Sequence, residues 1–377
     1  MLNHSRYMQL TNHEKIIFRQ KISDYARELG FDLVGFSPAK IEEKYLAAFE
    51  KWLQQGREGN MEYMKKIAER RDLTKILPGA KSVIVFGLNY YHQQTALKRG
   101  HGRVARYAYG RDYHKVIGKK LKKVEEFIAE MFSVPTKSYV DTGPLLERAL
   151  AEQAGLGRIG KNGSLITEKF GSWVFLGEII TTLDLNIAPQ IPISTGRTGP
   201  ASQSVKLSTS LAPASIRQSH LALTRWSDPA QKSFNICGNC HKCMSACPTG
   251  AIVAPGVIDA RLCISYLTIE NKKKIPPKLA KIIKKTKRLY GCDLCQEVCP
   301  HNTARQHVRT THGTTDFHDG LFTPIAGDSL SIKKLLAKKT AISPSPLSSD
   351  AAFLQAFAGS PVMRAKRRGL KRNAKIF

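Results

Sequence analysis

CGNCHKCMSACPTG occupies Cys237–Gly250, and CDLCQEVCPHN occupies Cys292–Asn302. Seven of the chain's eight cysteines lie in these two stretches, and the eighth, Cys263, lies between them. The first run reads C-x2-C-x2-C-x3-C-P: Cys237, Cys240, Cys243, Cys247, then Pro248. In the two-cluster ferredoxin pattern, short spacers let three thiolates reach three irons of one cubane. The fourth thiolate, ahead of proline, goes to the other cluster. The second run, Cys292, Cys295, Cys299 and Pro300, is one cysteine short, and Cys263 makes up the deficit. Exchange of the fourth ligands predicts one 4Fe–4S cluster on Cys237, Cys240, Cys243 and Cys299, and a second on Cys247, Cys263, Cys292 and Cys295. Two four-cysteine zinc sites would consume the same thiolates. Zinc sites, however, usually pair two separated C-x2-C knuckles and do not call for a tight triple or Cys-Pro endings. Adjacent clusters move single electrons, so the rest of the chain must say where those electrons go.

The bulk composition narrows the answer. The chain has 377 residues, 42% of them hydrophobic and 24% charged, enough for two or three domains with a substantial core. No apolar run reaches the roughly 18 residues of a membrane span. The first residues, MLNHSRYMQLTNHEK, lack the apolar centre of a signal peptide. A cytoplasmic, reducing location is expected, where clustered cysteines bind metal rather than form disulfides. The formal net charge is +29. An excess of that size implies a polyanionic partner, through phosphate neutralisation and counterion release. Its clustering favours nucleic acid over an undirected basic surface: Lys272–Lys274, Lys278, Lys281, Lys284, Lys285, Lys287 and Arg288 crowd one stretch, and the tail Arg364–Lys375 carries no acid.

Upstream, Thr11 and Glu14 fit a capping box, with Ile17, Ile22, Tyr25 and Leu29 at broadly helical spacing behind them. Further helices are expected near Glu42–Gln55 and His114–Met131. Strands are expected near Phe31–Ser37, Ser82–Asn89, Ser138–Val140 and Trp173–Ile180. This alternation through residues 1–185 suggests one α/β-type domain. Residues 186–235, rich in Ser, Thr, Pro and Gly, read as an insertion or flexible linker. The cysteine module fills 236–302, and 303–377 ends in a basic helix interrupted at Gly359-Ser360-Pro361.

Two motifs mislead. Gly155-Leu156-Gly157-Arg158-Ile159-Gly160 matches G-x-G-x-x-G, but a helical pattern precedes it and a strand follows. A dinucleotide fingerprint has the reverse order. These glycines are instead expected to let bare backbone approach a flat or bulky ligand, with Lys161 and Asn162 as polar donors beside it. Asp112-x-His114 resembles a cobalt-ligating histidine loop with its glycine one residue late, and His114 is not assigned as a ligand. Asp141 stands between a strand and a Pro-led helix. That is a usual place for a functional group and equally for a helix cap, and the residues alone do not separate the two. If catalytic, Asp141 is expected to have a raised pKa in a partly apolar pocket.

Taken together, LPGAKSVIVFGLNYY (77–91), RYAYGRDYHKVI (106–117), DTGPLLERALAEQAGLGRIGKNGSLI (141–166), LGEI, CISYLTIE and the cysteine pattern resemble the epoxyqueuosine reductases. The resemblance spans about residues 12–185 and 236–302, and returns in the tail. It implies an α+β multidomain protein: a cobalamin-binding α/β domain of the reductive-dehalogenase and nitroreductase kind, a two-cluster ferredoxin-like domain, and a helical C-terminal part. It also implies that electrons pass from the 4Fe–4S clusters to cobalamin, which reduces the epoxide of epoxyqueuosine at the wobble position of a tRNA anticodon. By position Asp141 matches the family's proton donor. Arg70, Asp141, Lys161 and Ser265 fall in motifs around the cobalamin, and Lys272, Arg364 and Arg367 would face tRNA. An external donor such as a flavodoxin or ferredoxin system, a monomeric state and no membrane partner are expected. Two features depart from the family: the length of 186–235, and His301 where a tryptophan often follows Cys-Pro. A cobalamin-dependent dehalogenase-like enzyme and a non-catalytic ferredoxin-type carrier are the rival readings. The basic tail counts against the first, and the large N-terminal domain against the second.

Overall fold

The computed structural model describes residues 10–187, 236–303, 325–337 and 345–377. The expected insertion at 186–235 lies almost wholly outside the described residues. All described residues except Ile187 belong to one compact unit.

The capping box at Thr11 forms as its sequence dictates. The Thr11 hydroxyl accepts the Glu14 N–H at 3.3 Å, and Glu14 accepts the Thr11 N–H at 2.7 Å, opening α1 (Asn12–Glu28). Then follow β1 (Leu33–Pro38), α2 (Glu43–Gln54), β2 (Ser82–Asn89), α3 (Tyr113–Met131), β3 (Thr136–Tyr139), α4 (Glu147–Gln153) and β4 (Val174–Thr181). The sheet order is β1-β2-β4-β3, and every neighbouring pair is antiparallel. This corrects the α/β expectation to an α+β layer. Alternating helix and strand fixes the order of elements but not strand direction. Here β4 returns between β2 and β3, so those two run parallel with α3 crossing over between them, a split βαβ arrangement.

All eight residues of β2 are buried because helices cover both faces of the sheet. Ile84, Phe86 and Leu88 pack with Ile22 and Ala26 of α1 and with Ile117, Leu121, Val124 and Ile128 of α3. Val83 and Val85 point the other way, to Leu46 of α2 and Leu150 and Ala151 of α4. Each large apolar side chain so enclosed contributes about 1.5–3 kcal/mol.

The cysteine module joins this layer through a buried polar knot. Asn302 Nδ2 donates to Ser172 Oγ at 2.8 Å, Asn302 Oδ1 accepts the Ser172 N–H at 2.7 Å, and Gln296 Nε2 reaches the Ser172 carbonyl at 3.0 Å. Beyond the module come α5 (Ile264–Ile269), α6 (Pro277–Thr286), α7 (Asp350–Phe357) and α8 (Lys366–Ala374). The C-terminal part is not helical throughout. Ser329–Ser331 joins His101–Val104 and Arg288–Tyr290 in a three-stranded sheet. Helices α7 and α8 pack Phe353, Phe357 and Leu370 against Leu289 and Tyr290. Asn373, fully buried, ties α8 down by donating to Thr268 O at 2.8 Å and Leu289 O at 3.0 Å. Among the described residues no helix is long and apolar enough to cross a membrane.

Candidate functional site

Four cysteines converge as their spacing predicts. Cys237, Cys240, Cys243 and Cys299 line a common hollow of about 30 Å³, with Asn162, Ile166, Pro300 and His301 completing its wall. His301, where a tryptophan was expected, bonds through Nε2 to the Ile236 carbonyl at 3.0 Å and closes one side. The other four cysteines form a second neighbourhood. Burial, and then nearby thiols, raise each of three pKa values: Cys263 feels Cys247, Cys292 feels Cys263, and Cys295 feels both Cys292 and Cys263. The Cys292 thiol is pushed up to about 12. Such thiols ionise only against strong positive charge, which bound iron provides. Sulfurs spaced around a void suit a cluster better than one tetrahedral zinc.

Backbone amides already point at the sulfurs. Lys161 N lies 3.4 Å from Cys237 Sγ, and Ala251 N lies 3.3 Å from Cys247 Sγ. Around Cys292 and Cys299 runs an ionic network that the sequence did not disclose. Arg106 donates to Glu297 at 2.9 Å and its backbone N–H to buried Asp293 at 2.8 Å, while Arg288 donates to Glu297 at 2.7 Å.

Asp141 lies in a second cluster of polar groups. It follows β3 with a φ of 57°, and α4 starts only at Glu147, with Leu146 at its N-cap and no side-chain cap bond. Asp141 and Thr142 are therefore not helix caps. Tyr113 Oη donates to Asp141 Oδ2 at 2.7 Å, and His114 Nε2 stands 3.5 Å from the same oxygen. His114 Nδ1 lies 2.7 Å from Asp112, the N-cap of α3. The Asp141 side chain keeps 59% of its surface open, while protein atoms crowd its inner side. That crowding alone would raise its pKa, but the close His114 imidazole and the hydrogen bond from Tyr113 win and hold it low. The expected raised pKa is thus corrected. Burial likewise opposes charge on His114, yet its bond to Asp112 and the nearby Asp141 carboxylate lift it to about 9. Near neutrality the proton sits on His114, one contact behind Asp141.

The other expected residues divide between the two centres. Arg70 is 3% exposed, donates to Tyr63 O at 3.2 Å and Lys66 O at 3.0 Å, and feels the charge of Glu147. Tyr63 in turn feels Glu270, Arg364 and Asp141, so Arg70 and Asp141 share one neighbourhood. Lys161 belongs to the cysteine hollow, its Nζ donating to Gly238 O at 2.7 Å. Half-buried Ser265 is next but one to Cys263, and its backbone N–H bonds the Cys263 thiol. The glycine loop is corrected as a ligand cradle. A Cβ on Gly157 would meet Ile166 O at 2.4 Å, and one on Gly160 would meet Ile166 Cδ1 at 2.5 Å. Their bareness serves the hairpin of Arg158–Ile159 with Leu165–Ile166.

Of the three expected tRNA contacts, Lys272 is exposed. Arg364 is forked onto Glu270 at 2.7 and 3.3 Å, and Arg367 pairs with Asp350 at 2.6 Å. Between α6 and α8 opens a groove of about 830 Å³, with Lys274, Lys281, Lys284, Arg367, Lys371 and Lys375 around an apolar floor of Ile275, Ala280 and Ile376.

Comparisons with known proteins agree with this layout. A family profile described as epoxyqueuosine reductase QueG, DUF1730, matches residues 70–142, and a 4Fe-4S double cluster binding domain matches residues 236–302. An epoxyqueuosine reductase of Gloeobacter violaceus is 38% identical over 360 residues, 94% of each chain. That of Pseudomonas aeruginosa is 38% identical over 290 residues, 75% of this chain and 68% of its own. Among solved structures, an epoxyqueuosine reductase with a tRNA-Tyr epoxyqueuosine-modified tRNA stem loop aligns at a TM-score of 0.71 and 27% identity. It covers 96% of this chain and 81% of that one. A Bacillus subtilis epoxyqueuosine reductase, with its catalytic aspartate loop swung out of the active site, aligns at 0.69 and 27% with the same coverage.

Proposed function

The chain belongs to the epoxyqueuosine reductase family, and from that premise we propose how its residues divide the work. The reaction is reduction of the epoxide of epoxyqueuosine in tRNA to the alkene of queuosine. It consumes two electrons and two protons and releases one water. Cys237, Cys240, Cys243 and Cys299 hold one 4Fe–4S cluster, and Cys247, Cys263, Cys292 and Cys295 hold the other. An external donor of the flavodoxin or ferredoxin type feeds them, in a monomeric cytoplasmic enzyme.

Cobalamin, when bound, supplies the two-electron centre that single-electron clusters lack. The residues present fit such a group. Arg70 Nε and Asn162 Nδ2 are buried donors without a protein acceptor among the described residues, and the amides and phosphate of a corrin are acceptors. Arg70 and Asp141 would hold its reacting side, with Lys161 and Ser265 at the cluster loops. Asp141 meets the epoxide oxygen, Tyr113 orients the carboxylate, and His114 stores the proton that passes through it as that oxygen leaves.

The basic groove between α6 and α8 takes the phosphates of the anticodon stem. Arg367 lines that groove, and exposed Lys272 comes two residues before Lys274 of its wall. Arg364, near Asp141, guards the entrance for an unstacked wobble base. Arg372 is structural, donating to Leu267 O at 2.7 Å and Lys273 O at 3.0 Å.

The observation that carries this reading is the Asp141–Tyr113–His114 group in the same compact unit as the four-cysteine hollow. The test is anaerobic turnover of an epoxyqueuosine-bearing stem loop by reconstituted protein, followed by mass loss of one oxygen. Conversion is expected only with cobalamin added. Equal conversion without it would remove the corrin from the account, and preferential reduction of a chlorinated phenol would favour a dehalogenase.

A further inference from the structure

Behind the Asp141 loop a fully buried carboxyl, Glu178, faces a half-buried one, Glu147. Glu178 sits in β4 opposite Val85 of β2 and Tyr139 of β3, and is fully buried. Neither of its oxygens receives a hydrogen bond from a donor among the described residues. The polar group it faces is the carboxyl of Glu147, the first residue of α4. Two ionised carboxylates cannot share such a site, whereas a neutral carboxyl can donate to its partner. Burial and then the charge of Asp141 push Glu147 up to about 8. Burial and then Glu147 push Glu178 well above the carboxylate range.

Glu147 also reaches forward. Its Oε1 accepts the backbone N–H of Asp141 at 2.5 Å. Asp141 is a non-glycine residue with a φ of 57°, a conformation that persists only when its surroundings enforce it. Gly143 packs so closely under the Tyr139 ring that a Cβ there would come within 2.4 Å of it, so the loop is gripped from both ends. Several charged or titratable groups face this pair: Asp141 from the loop, Tyr113 and His114 on α3 beyond it, Tyr139 on β3, Arg148 on α4, and Arg70 from the helical turn before β2.

Resting on the reading of Asp141 as the acid that meets the substrate, we infer that the Glu147–Glu178 pair, sharing a proton, is a positioning latch. It pins the Asp141 loop in its working conformation and releases it when that proton is lost. Glu147 is a positioning residue and touches no reacting atom.

Hydrogen exchange on the reconstituted full chain tests this, with the Asp141 amide normalised to an exposed loop. Glu147→Ala is expected to speed that amide's exchange by about tenfold or more. The same variant should lower kcat with KM for the modified stem loop unchanged. In the parent protein, protection is expected to fall as pH rises past about 8. In Glu178→Gln, whose amide still donates to an ionised Glu147, protection should persist at higher pH. That substitution preserves volume and carries the test if Glu147→Ala does not fold. Unchanged exchange in Glu147→Ala, or loss of protection at the same pH in Glu178→Gln, would overturn the latch. Full turnover by Asp141→Asn would instead end the catalytic reading of Asp141 and leave the exchange result standing.

Discussion

Asp141 and His114 stand 3.5 Å apart, with the carboxylate held low and the imidazole high. Near neutral pH they form an ion pair that presents one proton to whatever occupies the space beyond Asp141. Asp141→Asn removes the proton path and should cut single-turnover reduction by about 100-fold or more, with iron content unchanged. Full activity would reduce Asp141 to a loop residue. The pH dependence of stability has a definite sign. His114 and Glu147 both bind protons more tightly in the folded chain. Their contributions are fully present below their ordinary values of 6.5 and 4.5, and are lost as pH rises through about 9 and about 8. The urea midpoint should therefore fall between pH 6.5 and pH 9. His114→Ala should flatten the upper part of that fall, and a midpoint that rises over this interval would contradict the assignment.

At the scale of elements, the cysteine loops were the most legible part of the sequence. Ligand spacing is a short-range geometric constraint that tertiary context does not override. Cys263 stands apart from both runs in sequence, yet folds beside Cys247 and Cys292. Cys263→Ser should cost one cluster and leave the other, read as about half the parent's iron; unchanged iron would overturn the partition. The helices and strands expected in residues 1–185 lie within a few positions of those observed, since β2 and α3 carry strong apolar patterns. The short helix at Ile67–Arg71 and the strand at His101–Val104 carry no such pattern and were not expected. Strand direction was not legible, because nothing local in Val174–Thr181 says that it inserts between β2 and β3. The Asp141 loop was also misread. Pro144 suggested an immediate helix, but the left-handed Asp141 and the packing of Gly143 on Tyr139 delay it to Glu147. Glu147 lies in LLERAL and Glu178 in LGEI, far apart in the chain, and only folding brings α4 and β4 together. In the tail, Asn373→Ala should strand the carbonyls of Thr268 and Leu289 and cost about 1–3 kcal/mol. A smaller loss in chemical denaturation would mean that water replaces the amide.

Across the whole molecule, the proposed function has the excess of positive charge and the redox core serve one reaction. Not all of the 59 Lys and Arg residues face outward to a partner, since Arg106, Arg288 and Arg364 are paired with carboxylates and Arg372 is tied to carbonyls. On the reading proposed above, the lysines lining the α6–α8 groove meet phosphate. Binding of the modified stem loop should weaken steeply with salt. Lys281→Ala with Lys371→Ala should lower the slope of log K against log salt by about 2, and an unchanged slope would place the nucleic acid elsewhere. Beneath all of this lies the claim that the eight cysteines hold two cubanes which feed a proton-supplied reducing site. Iron and acid-labile sulfide, quantified together on protein reconstituted under nitrogen, test it most directly. The account predicts about eight of each per chain, four for each cluster. Stoichiometric zinc, or iron without sulfide, would contradict it.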